Sequence, residues 1–129
     1  MIVADASAIL EVMLNPSAAV EISSYLFADG ESIHVPHLID LEVLQVLRRY
    51  ARSDMSGVRA EKALQIYEGI VLNRYSHTIL ARRIWELRHN WTAYDSAYIA
   101  LAEALDAPLI TRDRALASRS GHRAQVLVL

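Results

Sequence analysis

A chain of 129 residues, 53% hydrophobic and 22% charged, is long enough to bury a core as one domain over 1–129 and too apolar to stay disordered. Thirteen basic residues against fifteen acidic ones give a net charge of −2, which argues against a protein that coats nucleic acid by charge alone. The absence of cysteine excludes disulfides and thiolate metal sites; with no leader-like segment at Met1 and charge interrupting every apolar run, a cytoplasmic protein without membrane contact is expected.

Ile2 to Ala4 reads as a short buried strand ending at Asp5, followed by Ser7 and an apolar helical stretch from Ala8 to Leu14. An acid between a strand and a helix stands at the carboxyl edge of a sheet, where open α/β folds build their sites. Asn15 and Pro16 break the helix. A second helix is expected over Ser17 to Phe27, with Ala18, Ile22, Tyr25 and Leu26 on one face, before the Asp29-Gly30 turn.

Ser32 to Val35 reads as a strand stopped by Pro36, and His37 to Arg52 as a largely buried helix with Leu38, Leu41, Val43, Leu44, Val46 and Leu47 around it. Asp40 and Glu42 are the exceptions within it. Two residues apart on a helix they point in nearly opposite directions, so Glu42 is taken as the site candidate and Asp40 as a cap or solvent-facing acid. Ser53 to Ser56 is a connection. A helix from Val58 to Leu72, with Ala60, Ala63, Leu64, Tyr67, Ile70 and Val71, then completes a helical hairpin suited to a partner surface.

Arg74 to His77 is expected to be a third strand, and Thr78 to Arg88 a helix whose core side is Leu80, Ala81, Ile84, Trp85 and Leu87. In the stretch Trp91 to Leu105, Thr92 reads as an N-cap and Ala93, Ala97, Ala100, Leu101 and Ala104 recur at helical spacing. Asp95 then lies in the first turn. By itself it is equally well a capping partner of Thr92 or a functional carboxylate. Pro108 to Thr111 reads as a strand with Asp113 at its carboxyl end before a short helix closed by Gly121, and Gln125 to Leu129 as a terminal strand. Strands alternating with helices predict an α/β fold: a mainly parallel sheet of four to five short strands, about seven helices and right-handed crossovers.

Asp5, Glu42, Asp95 and Asp113 would form a cluster of like charges that needs a cation, and oxygen-only ligands select Mg²⁺, with Mn²⁺ as the alternative. Other chemistries lack their patterns: no G-x-S-x-G surrounds Ser7, and no dinucleotide or phosphate-binding glycine loop or H-E-x-x-H run exists. His34 and His37 are read as surface or capping residues rather than zinc ligands. Tyr94, Tyr98, Trp85 and Trp91 are read as core aromatics before base-stacking ones. All basic residues but Lys62 are arginine, clustered at Arg48, Arg49 and Arg52, at Arg82, Arg83 and Arg88, and at Arg112, Arg114, Arg119 and Arg123. Each cluster is either a solvated face or a grip on phosphate.

Four segments, I-V-A-D-A-S-A, P-H-L-I-D-L-E-V-L, A-Y-D-S-A-Y-I-A-L-A and L-I-T-R-D-R-A-L, occur in the order and at the distances of PIN-domain ribonucleases, and the chain resembles most closely their VapC-type toxins. The resemblance covers essentially the whole chain. It implies a PIN-like three-layer α/β/α sandwich and an acidic site of Asp5, Glu42, Asp95 and Asp113, with Asp5, Asp95 and Asp113 on the metal and Ser7 and Thr111 supporting the carboxylates or waters. It further implies RNA cleavage leaving a 3′-hydroxyl and a 5′-phosphate, homodimerisation, and a cognate antitoxin that blocks the site. Where relatives carry an asparagine or further acid near Asp95 or Asp113, this chain has Ser96 and Arg112. A catalytically silent binding module and a metal-dependent DNA nuclease are the alternative readings.

Overall fold

The computed structural model describes residues 1–53 and 56–129. In chain order the elements are β1 (Ile2–Ala4), α1 (Ala6–Leu14), α2 (Val20–Leu26), β2 (Ile33–Pro36), α3 (Ile39–Ser53), α4 (Gly57–Gly69), β3 (Leu72–Tyr75), a 3-10 turn (His77–Leu80), α5 (Ala81–Glu86), α6 (Ala93–Leu105), β4 (Leu109–Thr111), α7 (Arg114–Ser118) and β5 (Val126–Val128). The expected connection from Ser53 to Ser56 includes residues 54 and 55, which lie outside the described residues.

The sheet has five strands in the order β3-β2-β1-β4-β5, and every pairing is parallel. The three inner strands β2, β1 and β4, buried on both faces, are three- to four-residue runs of mostly apolar residues rather than alternating ones. From β1 the chain first moves outward to β2 and β3, then returns to build β4 and β5 on the other side of β1. Right-handed crossovers therefore place the helices of these two halves on opposite faces, giving the three layers. The reversal of strand order between β1 and β4 is a topological switch point. There the carboxyl ends of neighbouring strands part and leave a crevice.

Helix α6 is the centre of the packing. Seven consecutive residues, Ser96 to Ala102, are buried, because the helix is covered by β1, β2 and β4 on one side and by α5 on another. The alanines at 97, 100 and 102 let it approach the sheet closely. Ala93 and Ala104, expected on its inner face, are exposed since they lie beyond the covered turns.

Several expected core positions also face outward. On α3 only Ile39, Val43 and Leu47 are buried, while Leu41 is 73% and Leu44 44% exposed, because the helix packs against α1 and α4 and turns these two leucines away from them. On α2, Ala19 replaces Ala18 in the core and Tyr25 is exposed, the helix beginning three residues later than expected. Val71 follows α4 and is 83% exposed. Ala81 and Trp85 on α5 are exposed, the indole lying under the Arg88 guanidinium at 4.5 Å, since the 3-10 turn changes the helical phase before α5. Strand β3 starts two residues early, in register with β2 from Leu72 to Tyr75.

His34 is buried, correcting its reading as a surface residue: its ring nitrogens bond Ser32 Oγ and Tyr75 Oη, both at 2.8 Å. Helix α7 ends at Ser118, and Gly121 sits in the following turn with φ of +109°, a conformation that favours glycine. Among the described residues no helix is long and apolar enough to cross a membrane.

Candidate functional site

Strand β1 delivers Asp5 to the crevice at the switch point, and the same carboxylate begins α1. Its Oδ1 accepts the Ala8 amide at 3.0 Å and the Ser7 hydroxyl at 2.6 Å, while Thr111 Oγ1 donates to Oδ2. This N-cap explains why α1 starts at Ala6, two residues ahead of the apolar run. Asp5 is only 6% exposed, and burial raises its pKa against the lowering effect of Ser7, Thr111 and the amides.

Strand β4 ends at Thr111, which stands across the crevice. Its buried hydroxyl donates to Asp5 and accepts the Asp113 amide at 2.9 Å, so one side chain ties the two strand ends together. Ser7 Oγ accepts the Arg112 amide at 2.9 Å and lies 3.4 Å from Thr111 Oγ1. Asp113 is exposed and caps α7, accepting the Ala115 amide at 2.8 Å. Both strand ends thus close on the same device, an acid that also starts the next helix.

Asp95 and Glu42 come from helices. Thr92 caps α6 by accepting the Asp95 amide at 3.1 Å, which fixes Asp95 in the first turn. One turn further along, the buried Tyr98 hydroxyl donates to Glu42 on α3. Tyr98 is the core aromatic its helical spacing predicts and also the partner of Glu42; its separation of three from Asp95 is the sequence signal that both share a helix face. Asp40 parts from Glu42 as the helical geometry requires. It is neither a cap nor a free surface acid, but takes Tyr67 and a forked contact from Arg74, at 2.9 to 3.2 Å, which hold its pKa low.

The electrostatics link the four acids. Burial raises the pKa of Glu42, Tyr98 opposes it, and the charges of Asp5 and Asp95 push it further up. Burial likewise raises Asp95, with Thr92 and Arg119 opposing and Asp113 adding to the rise. Tyr98 is itself raised, by burial first and then by Glu42. Among the described residues none of these four carboxylates forms an ion pair, whereas Glu11, Glu31, Asp40, Glu86 and Glu103 all do.

A cluster of anionic oxygens, the pKa values of Asp5, Glu42 and Asp95 raised and none of the four ion-paired among the described residues, has the donor chemistry of a hard divalent cation. Among the described residues no three acids or imidazoles stand in direct ligating geometry. The arrangement suits an ion held by one or two carboxylates that keeps most of its water, as Mg²⁺ does.

The family description "PIN domain" matches residues 2–121. Ribonuclease VapC9 of Mycobacterium tuberculosis is 40% identical over 130 positions, covering 100% of this chain and 98% of its own. Ribonuclease VapC1 of the same organism is 40% identical over 121 positions, covering 92% of this chain and 90% of its own. The solved complex of VapBC2 from Rickettsia felis, bound to a DNA fragment from its promoter, shares the fold with a TM-score of 0.67, at 12% identity over 98% of both chains. The crevice acids, the five-stranded parallel sheet and these likenesses lead to one assignment: the chain belongs to the PIN-domain family, among the VapC proteins.

Proposed function

We propose that this protein is a Mg²⁺-dependent endoribonuclease toxin, with Asp5, Glu42, Asp95 and Asp113 as its catalytic acids and Asp5, Asp95 and Asp113 as the metal-binding group, one or two of them directly and the rest through the water the ion keeps. The observation that carries the reading is the group of mutually repelling carboxylates at the switch point, none paired with a basic side chain among the described residues. The ribonuclease names of relatives at 40% identity support it.

Asp5, locked by three donors, is the rigid member, and Ser7 and Thr111 orient its two oxygens. Glu42, anchored through Tyr98, faces Asp5 and Asp95, where its raised pKa suits it to accept a proton at a carboxylate oxygen. Asp113 and Asp95 bring charge from two further elements. A bound divalent ion supplies positive charge to a phosphodiester oxygen and acidifies water; Mn²⁺ is expected to replace Mg²⁺.

A cognate antitoxin is the proposed partner. An apolar groove of about 690 Å³ runs beside the acids, floored by Leu38, Leu41, Ala81, Ile84, Trp85 and Ala97, and suits the apolar face of a helix. Further exposed apolar side chains on α3 and α4, Leu44, Tyr50, Val58 and Ile66, support homodimerisation through the hairpin. The place of action is the cytoplasm, where such a toxin meets RNA.

Asp5→Asn and Asp95→Asn are expected to keep the circular-dichroism spectrum of the wild type while losing Mg²⁺-dependent RNA cleavage and growth inhibition. Unaltered cleavage by both purified variants refutes the assignment. Matched DNA oligonucleotides, cut as fast as RNA, would instead favour a DNA nuclease.

A further inference from the structure

The acids that would hold a cation also repel the substrate, whose phosphates carry one negative charge per nucleotide. A polynucleotide therefore needs positive charge beside the crevice, and the chain as a whole, at net −2, does not supply it. The surface immediately past β4 does. A cleft of about 480 Å³ opens there, lined by Arg112, Arg114, Ala117, Ser118, Val128 and Leu129.

This cleft and the acid site share one loop. Arg112 and Arg114 flank Asp113 in sequence, and the Arg112 amide donates to the same Ser7 hydroxyl that donates to Asp5. The Arg112 guanidinium is held in place, with Nη1 donating to the Leu129 main-chain oxygen at 3.0 Å and Nη2 lying 4.0 Å from Glu11. Its side chain is still 47% exposed, leaving donors free for a ligand. Arg114 is exposed and, among the described residues, forms no ion pair. Two guanidinium groups on the wall of one cleft match the non-bridging oxygens of a phosphodiester, which arginine engages through paired N–H donors.

The geometry points to this cleft as a subsite for an RNA backbone phosphate flanking the bond that is cut, held by the Arg112 and Arg114 guanidinium groups. The inference rests on the ribonuclease reading and adds to it the path of the strand, which passes from the acids over the β4–α7 loop toward β5. The subsite reads backbone and not base, so it sets register and affinity without sequence preference. The arginines on α3, Arg48, Arg49 and Arg52, lie outside this cleft and are solvated charge.

The test is the salt dependence of kcat/KM for a single-stranded RNA oligonucleotide, with the full chain and Mg²⁺. Each lost phosphate contact on a single strand lowers the slope against log salt by about 0.7, which is about fivefold in kcat/KM at ~0.1 M salt. Arg114→Ala is expected to show that loss, carried by KM, and Arg112→Ala a similar one; Arg114→Lys keeps the slope, and Arg49→Ala on α3 matches the wild type. Unchanged kcat/KM and slope in Arg114→Ala, or an equal loss in Arg49→Ala, overturns the subsite while leaving the nuclease intact. A wild-type protein that neither binds nor cleaves RNA overturns the ribonuclease reading and this inference together.

Discussion

Thr111 carries more of the site than its size implies, and replacing it by valine isolates that role. The side chain is fully buried, and its hydroxyl both donates to Asp5 Oδ2 and accepts the Asp113 amide. Valine has nearly the same shape but neither function. Leaving a buried carboxylate oxygen without its donor costs about 2 kcal/mol, and the half-buried Asp113 amide about 1 kcal/mol more. The extra methyl group returns about 0.8 kcal/mol, so the net loss is about 2 kcal/mol. For a chain of this length, unfolding entropy of about 2.1 cal/mol/K per residue converts that to a fall of about 7 °C in Tm. Thr111→Ser keeps the hydroxyl and loses only a methyl, about 1 kcal/mol or ~4 °C. Differential scanning calorimetry in EDTA reads both. The diagnostic is the order: valine, which preserves apolar volume, must be the more harmful. A valine variant as stable as wild type, or more stable than the serine variant, refutes the claim that Thr111 ties the two strand ends through hydrogen bonds.

Glu42→Gln is expected to change the pH dependence of stability in metal-free protein. Asp5, Glu42 and Asp95 have raised pKa values when folded, so their contribution is full below the ordinary carboxylate range and is lost as pH rises through the raised values. Glutamine removes one of these charges and flattens the loss, measured by urea denaturation between about pH 4 and 7; an unchanged profile contradicts the assigned repulsion. Asp40, whose pKa is lowered first by Arg74, works in the opposite sense, its contribution being lost as pH falls through its lowered value. Arg83→Met strands Glu103, whose side chain is 4% exposed and otherwise keeps only the Arg123 amide, and is expected to cost about 3 kcal/mol by the same denaturation assay; a loss under ~1 kcal/mol would show that the pair contributes little.

Much of the architecture was legible because local signals and tertiary structure agree. Strands β1, β2, β4 and β5 and the Thr92 cap were readable from short, mostly apolar runs and a hydroxyl before a periodic stretch, and the parallel pairing followed from alternation, whereas β3, Leu-Asn-Arg-Tyr, has no such run and was expected two residues late. What hid was anything decided by which side of a helix meets a neighbouring element. Leu41 and Leu44 look like core on α3, yet helical periodicity cannot say whether a second apolar stripe has a neighbour. The phase break at the 3-10 turn, which turns Trp85 outward, has no sequence marker comparable to proline or glycine. At the site, Asp5 was visible as a strand-end acid, but its simultaneous role as an N-cap was not, since the apolar run begins at Ala8. The bond from Tyr98 to Glu42 joins residues 56 apart, a separation at which single-sequence patterns carry no pairing information.

The central claim is that the crevice acids share a divalent cation, and Mn²⁺ titration followed by electron paramagnetic resonance addresses it without depending on catalysis. The wild-type protein is expected to bind Mn²⁺ saturably in competition with Mg²⁺, and Asp5→Asn and Asp95→Asn to lose that binding while remaining folded. Equal Mn²⁺ affinity in the wild type and both variants would contradict it.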